Sequence, residues 1–437
     1  MTAIALHDQD AVSGVFERLL HDRSEPTGLT ARRRDALARF QRLPFPHRRQ
    51  EAWRFTDPSL LQELRLEHLP PGPPVLDAGR LPRALTPHRL VFVDGRFVAG
   101  LSVLPEQGRV MVGSLAGMWR DEAQRAILES YLDNLPGLED QPFLALNSAL
   151  HADGVYVRLR RGAVLETPLE ILHVATGEDR ASYPRHLLVL EDNAEARVVE
   201  HYVGEGRYLC APVTEIRLGA NAMLDHYRYQ AESMEAGHLG ALRLYLSAHA
   251  NASTTLLGGG AKLHRTEVAA HLAGQGAHAE LRGLALTRDR QLSDYHVRVE
   301  HEVPHCTSNQ LFKSVLDDQS RVVFDGTIKV HRDAQKTDAQ QSSSNLLLSR
   351  RAQAQSNPRL EIHADDVSCS HGSTTGFLDK DALFYLRARG IGEAEARAML
   401  VYAFAHEIVD NTRLETLQAR LEALLRERLT LAQEDLA

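Results

Sequence analysis

Three patterning regimes follow one another along the 437-residue chain. Near the start, Val12, Val15, Phe16 and Leu19 fall at helical spacing, and a second helical run through Ala36, Leu37 and Phe40 reads from an N-cap at Thr30. A proline-rich stretch (Pro70, Pro71, Pro73, Pro74, then Pro82 and Pro87) separates these helices from two apolar runs flanking Asp94-Gly95, the signature of a tight hairpin across Leu90 to Val98. From about Gly154 to Gly376 the period drops to two, in short runs such as Val155–Leu159, Ala196–Tyr202 and Thr214–Leu218 divided by small polar turns. Beyond Gly376 helical spacing returns: Ala382, Phe384, Tyr385 and Leu386, then Ala396, Met399, Leu400, Ala403 and Phe404, then Leu414, Leu417, Leu421, Leu424 and Leu425. The predicted organisation is a helical and mixed region over 1–144, a β core over 145–378 and a helical region over 379–437. The terminal apolar face either caps the β unit or binds a partner.

Within the β region a weak repeat of the form Leu-x-x-x-small recurs at Leu190, Leu218, Leu246, Leu272 and Leu316, with steps of 28, 28, 26 and 44 residues. Units of short strands at a near-constant step, each too small to bury its own face, predict a stacked β solenoid. An ordinary antiparallel sandwich with coincidental spacing is the alternative.

Composition narrows the function classes. At 43% hydrophobic and 25% charged residues the chain is an ordinary globular one. Its net charge of −8 and lack of a long basic run argue against nucleic acid or an anionic membrane as partner. Ala398 to Ala405, the longest apolar run near the C-terminus, is far shorter than the roughly 20 residues that cross a bilayer. The first ten residues carry neither a basic nor an apolar leader segment, so a cytoplasmic location is expected. Three isolated cysteines, Cys210, Cys306 and Cys369, suit a reducing compartment.

Most enzyme signatures fail. None of the five lysines follows a phosphate-loop spacing, and Gly274 to Ala279 fits a dinucleotide fingerprint only formally, inside β-rich sequence. No nucleophile elbow is present, and His406-Glu407 lacks the second histidine of a zinc-protease helix. His301, His305 and Cys306 could supply soft metal ligands but have no second ligand pair. Cys369 and His371 form the stronger constellation: two apart on an extended strand, they share one face, and a cationic imidazole would favour the thiolate that binds iron or carries sulfur.

The run Ser314 to Gly326, then Lys336 to Gln341, Asn345 to Leu348, Ala364 to Gly372 and Phe384 to Ile391 resembles the SufB/SufD family of iron-sulfur cluster assembly scaffolds, with a weaker echo at Arg48 to Thr56. The Cys-Ser-His-Gly form at Cys369 to Gly372 resembles the SufD branch of that family. Val322 departs from the family's glycine after the arginine, which bears on local turn geometry. The resemblance implies a right-handed parallel β-helix with helical ends and a non-enzymatic scaffold. It implies pairing with a SufB-like paralogue and docking of the ABC ATPase SufC on the C-terminal helices through Phe384, Tyr385, Arg387, Met399, Leu400 and Phe404. His371 and Cys369 would then face a transient iron or iron-sulfur cluster, with no tightly bound cofactor, and a homodimer is a further possibility. Two rivals stand beside this reading. One is a SufB-like subunit that holds the cluster itself. The other is a β-helix enzyme acting on polysaccharide, with Asp365-Asp366 or Asp317-Asp318 as acid and base, for which 6% aromatic residues offer few sugar platforms.

Overall fold

Alternating strands that each bury one face can stack into two facing sheets, and that is the arrangement in the computed structural model, which describes residues 8–21, 25–62, 76–134, 136, 141–177 and 179–434. Pro70, Pro71, Pro73 and Pro74 lie outside the described residues. Successive strands pass between a ten-stranded sheet I and an eleven-stranded sheet II, so each strand pairs in parallel with the strand one full coil away. The result is a parallel β-solenoid of about 8 turns with helices at both chain ends. Strands from the N-terminal third join its first coil: His88–Val93 pairs in parallel with Leu169–Ala175, and Val110–Ser114 runs antiparallel to Val155–Leu159.

The leucine repeat is a corner device. Leu190, Leu218, Leu246 and Leu272 close neighbouring strands of sheet II in direct register. Each is followed by a left-handed residue, Asn193 (φ 58°), Asn221 (φ 56°), His249 (φ 56°) or Gly276 (φ 71°), and then by a buried alanine, Ala194, Ala222, Ala250 or Ala277. Asparagine and glycine tolerate that backbone, and only a small side chain fits beneath the turn. Leu316 belongs elsewhere: it ends the sheet I strand Thr307–Leu316, and the column is continued by His301 and Val330. Its 44-residue step thus crosses from one sheet to the other.

Side chains between the sheets form one apolar core, from Leu90 and Phe92 in the first coils to Phe312 and Phe324 further along. The outer faces are covered by helices. Val12, Val15, Phe16, Ala36 and Phe40 of the helices Gln9–His21 and Thr27–Arg42 join the layer that lies over Leu263, Leu292 and Val323 of sheet II. Helices Glu393–Asp410 and Glu415–Glu434 lay Val401, Ala405, Ile408, Leu417 and Leu421 on Tyr229, Leu257 and Leu284 of sheet I. The terminal leucines therefore cover a sheet face; they do not plug the end of the stack.

The hairpin forms as expected, with Asp94 (φ 47°) and Gly95 (φ 77°) turning between Val93 and Arg96. Two expectations fail locally. The second helix begins at Thr27 with Pro26 as its N-cap, and Thr30 sits inside its first turn, its hydroxyl directed back to the Pro26 carbonyl at 3.5 Å. Val322 is no turn residue: it is buried in the strand Arg321–Val330 as part of the inner core.

The two ends of the stack differ. At the first end, edge N–H groups are already occupied: Val112 donates to Gln107 Oε1 at 3.2 Å, Val91 to Ser102 Oγ at 2.9 Å, and Arg89 exchanges backbone bonds with Val103. At the other end the ten-residue strands Gln353–Ile362 of sheet II and Ser368–Phe377 of sheet I have no further strand beside them among the described residues.

Candidate functional site at the open end of the solenoid

Parallel, in-register pairing stacks like faces on like faces, and this fixes where Cys369 and His371 point. Cys369 pairs with Ala339 and His371 with Gln341, both buried residues of the inner face. Cys369 and His371 therefore face the solenoid axis on the last rung. With no coil beyond it among the described residues, His371 is exposed, whereas Cys369 is half-buried against the small cluster of Ile328, Val330, Ala334, Ala339 and Ala364. The expected thiolate is not favoured: burial, then the nearby Asp338 carboxylate, push the Cys369 thiol above its ordinary value.

Polar side chains take over the inner face in these last coils. Gln341 Nε2 donates to Gln310 Oε1 at 3.0 Å, Ser343 and Ser356 hydroxyls are bonded at 3.0 Å, and Asn345 Nδ2 reaches Ser356 Oγ at 3.2 Å and Thr375 Oγ1 at 3.3 Å. An imidazole and a thiol at a polar rim can offer two ligands to a soft metal ion from one side. A four-coordinate iron or zinc needs the rest from elsewhere.

The C-terminal residues fall into two groups. Helix Lys380–Ala388, capped by the Asp379 side chain, buries none of its residues and presents Phe384 and Tyr385 at 74% and 55% exposure. Arg389 lies over the Tyr385 ring at 4.4 Å, and Arg387 pairs with Glu393 at 3.0 Å, tying this helix to the next. Met399 is 47% exposed and Leu400 half-buried. Phe404 does not share the surface of Met399. It packs into the layer over sheet I beneath Lys313, whose Nζ is 5.1 Å from the ring centroid, because five helical residues turn the side chain well away from Met399.

His301, His305 and Cys306 do not converge on a metal. His301 bonds to Ser308 Oγ at 2.9 Å, His305 supplies the left-handed corner (φ 62°), and Cys306 takes the place of the buried corner alanines. Asp318 (φ 52°) is a corner residue as well, while Asp366 pairs with Lys336 in another turn. The segment Arg48 to Thr56 is a clamp: Thr56 Oγ1 donates to Asp294 Oδ2 at 2.5 Å, Trp53 stacks 4.1 Å from the Arg265 guanidinium, and Glu51 pairs with Arg359 at 2.8 Å.

Sequence patterning missed the buried polar interior of the early coils. Glu200, wholly buried, accepts from Thr214 Oγ1 at 2.6 Å, Tyr202 OH at 2.7 Å and Arg228 Nε at 2.9 Å, with His226 Nε2 at 3.0 Å. Glu200 and Tyr202 share one strand, His226 and Arg228 another, and Thr214 lies on a third, so spacing along the chain does not bring the three segments together; their only signal is a charged residue at an inward-alternating position.

Residues 173–404 match the family described as SUF system FeS cluster assembly, SufBD core domain. The chain is 32% identical over 418 residues to the iron-sulfur cluster assembly protein SufD of Escherichia coli, covering 93% of this chain and 94% of that protein. It is also 32% identical over 436 residues to an iron-sulfur cluster assembly SufBD family protein of Synechocystis, covering 95% and 93% of the two chains. Similarity to SufD of Bacillus subtilis is 24% over 302 residues, 66% of this chain and 67% of that one. No helix among the described residues is long and apolar enough to cross a membrane.

Proposed function

Because the chain belongs to the SufB/SufD family of iron-sulfur cluster assembly proteins and is SufD-like, we propose that it is the cytoplasmic scaffold subunit that completes an assembly site with a SufB-like paralogue. The single observation that carries this reading is the open rim: an exposed, ten-residue edge strand presenting His371 and Cys369 beside a polar inner face. An unpaired parallel edge is a template for another strand, so the same element that invites a partner also carries the ligands. The partner's rim supplies the remaining ligands, and the cluster or iron is cargo held across the junction. Exposed Phe384, Tyr385 and Met399 form the apolar part of the surface that docks a SufC-like ABC ATPase, with Arg387 and Leu400 at its margin. ATP hydrolysis belongs to that partner, and this chain contributes position and ligands.

The test is maturation of the co-expressed complex carrying His371→Ala. The expected outcome is normal subunit ratio and ATPase rate with depleted iron and acid-labile sulfide, because an exposed rim side chain adds little to the fold. Full cluster content would remove His371 from the site, and loss of the complex would make it a packing residue of the interface. A coloured cluster on the isolated chain after anaerobic reconstitution would favour the SufB-like reading.

A further inference from the structure

Several coils away from the rim, three donors of different chemistry meet inside the solenoid wall. Cys210 ends the short strand Tyr208–Cys210, which pairs in parallel with the start of Gly237–Leu246, so Cys210 and His238 are neighbours on adjacent rungs. Glu232 comes in from the segment after Met223–Ala231. The sulfur, one imidazole nitrogen and one carboxylate oxygen all lie within 4.8 Å of one another. Their residues are 3%, 0% and 7% exposed.

His238 Nδ1 and Glu232 Oε2 are 2.7 Å apart, so an ion held between them takes the place of the proton they share, with Cys210 Sγ as the third donor. Glu232 Oε2 also accepts from Gln230 Nε2 at 2.9 Å, which holds the carboxylate in position. Charge favours the ion. Glu232 and a Cys210 thiolate together neutralise a doubly positive ion, so a buried complex carries no net charge once the thiol proton has left. Thiolate with imidazole selects zinc-class ions over calcium or magnesium, which prefer oxygen alone. The other acid–histidine group, His271 with Glu300 and Glu302, differs: Glu300 is already paired with Arg298 at 2.7 Å and His331 at 2.9 Å.

We propose that Cys210, Glu232 and His238 bind a zinc-class divalent cation at a site distinct from the open rim. Binding forms a sulfur–metal bond and releases the Cys210 proton to solvent, with no change of oxidation state.

The experiment is titration of the full-length, chelator-treated, reduced protein with cobalt(II) alone. The expected result is one cobalt per chain with a thiolate-to-cobalt charge-transfer band. That band should persist in Cys369→Ser/His371→Ala and disappear in Cys210→Ala, which retains the far-ultraviolet circular dichroism of the parent. If Cys210→Ala does not fold, Glu232→Gln and His238→Gln replace it, each losing the rise in melting temperature that zinc gives the parent. Absence of the band from the folded parent, its survival in Cys210→Ala, a zinc shift undiminished in both glutamine variants, or loss of the band only with the rim residues would overturn the proposal.

Discussion

Glu200→Ala tests the buried interior directly. The carboxylate is wholly buried and held well below the usual carboxylate range despite burial, chiefly by the Arg228 guanidinium and then by His226. Removing it leaves Arg228, itself 2% exposed, as a charge without its partner, and strips acceptors from Tyr202 and Thr214. Breaking a buried pair in this way costs about 3–5 kcal/mol. Against a total stability of about 5–15 kcal/mol, that is enough to lower the urea midpoint sharply and reduce soluble yield. Replacing both partners, Glu200→Met with Arg228→Leu, removes the stranded charge and should recover most of the loss. Urea unfolding followed by far-ultraviolet circular dichroism at one pH compares the three proteins. A Glu200→Ala midpoint equal to the parent's, or a double variant worse than the single, would refute the assignment of the penalty to an uncompensated Arg228.

Burial pushes His186 and His301 down to about 4, so the unfolded chain takes up protons near pH 6.5 that the folded one refuses. Stability should fall as pH drops from about 6.5 to about 4, on the order of 3 kcal/mol per histidine at the limit; a melting temperature constant over that window contradicts it. Phe384→Asp with Met399→Asp should weaken capture of a SufC-like ATPase at least about twentyfold in a pull-down, and leave the melting temperature unchanged because both side chains are exposed. Undiminished capture places the docking surface elsewhere. At the corner filled by Cys306, Cys306→Ala should be nearly neutral, whereas Cys306→Leu should lose about 1–3 kcal/mol by overpacking; equal melting temperatures for the two would mean the corner has room to spare.

The solenoid was legible because stacking repeats one local rule: strand, left-handed corner, small buried residue. Leu190, Leu218, Leu246 and Leu272 announce it in sequence, and their corners share the backbone of Asn193, Asn221, His249 and Gly276. Leu316 shows the limit, since spacing reports recurrence and not the sheet in which a residue lands. The shared face of Cys369 and His371 followed from alternation alone; the neutral thiol did not, because Asp338 reaches it through the ladder. Helix Glu393–Asp410 has apolar residues on several faces, so periodicity could not separate outward Met399 from inward Phe404. The Glu200 network was illegible for a simpler reason: in an alternating strand a charged residue reads as solvent-facing unless its partners, on other strands, are known.

Unlike ends give this stack a valence of one. The rim at Ser368–Phe377 and Gln353–Ile362 can take on another strand edge, while at the opposite end the N–H groups of Val112, Val91 and Arg89 are already bonded to Gln107, Ser102 and Val103. Two chains that meet rim to rim use up both adhesive edges, and no third can add, so assembly stops at a pair where a two-ended solenoid would grow into a filament. Under the proposed pairing supply would matter as much as affinity: a copy made without its partner would keep an open, ten-residue edge, and matched synthesis of the two chains would protect it against aggregation.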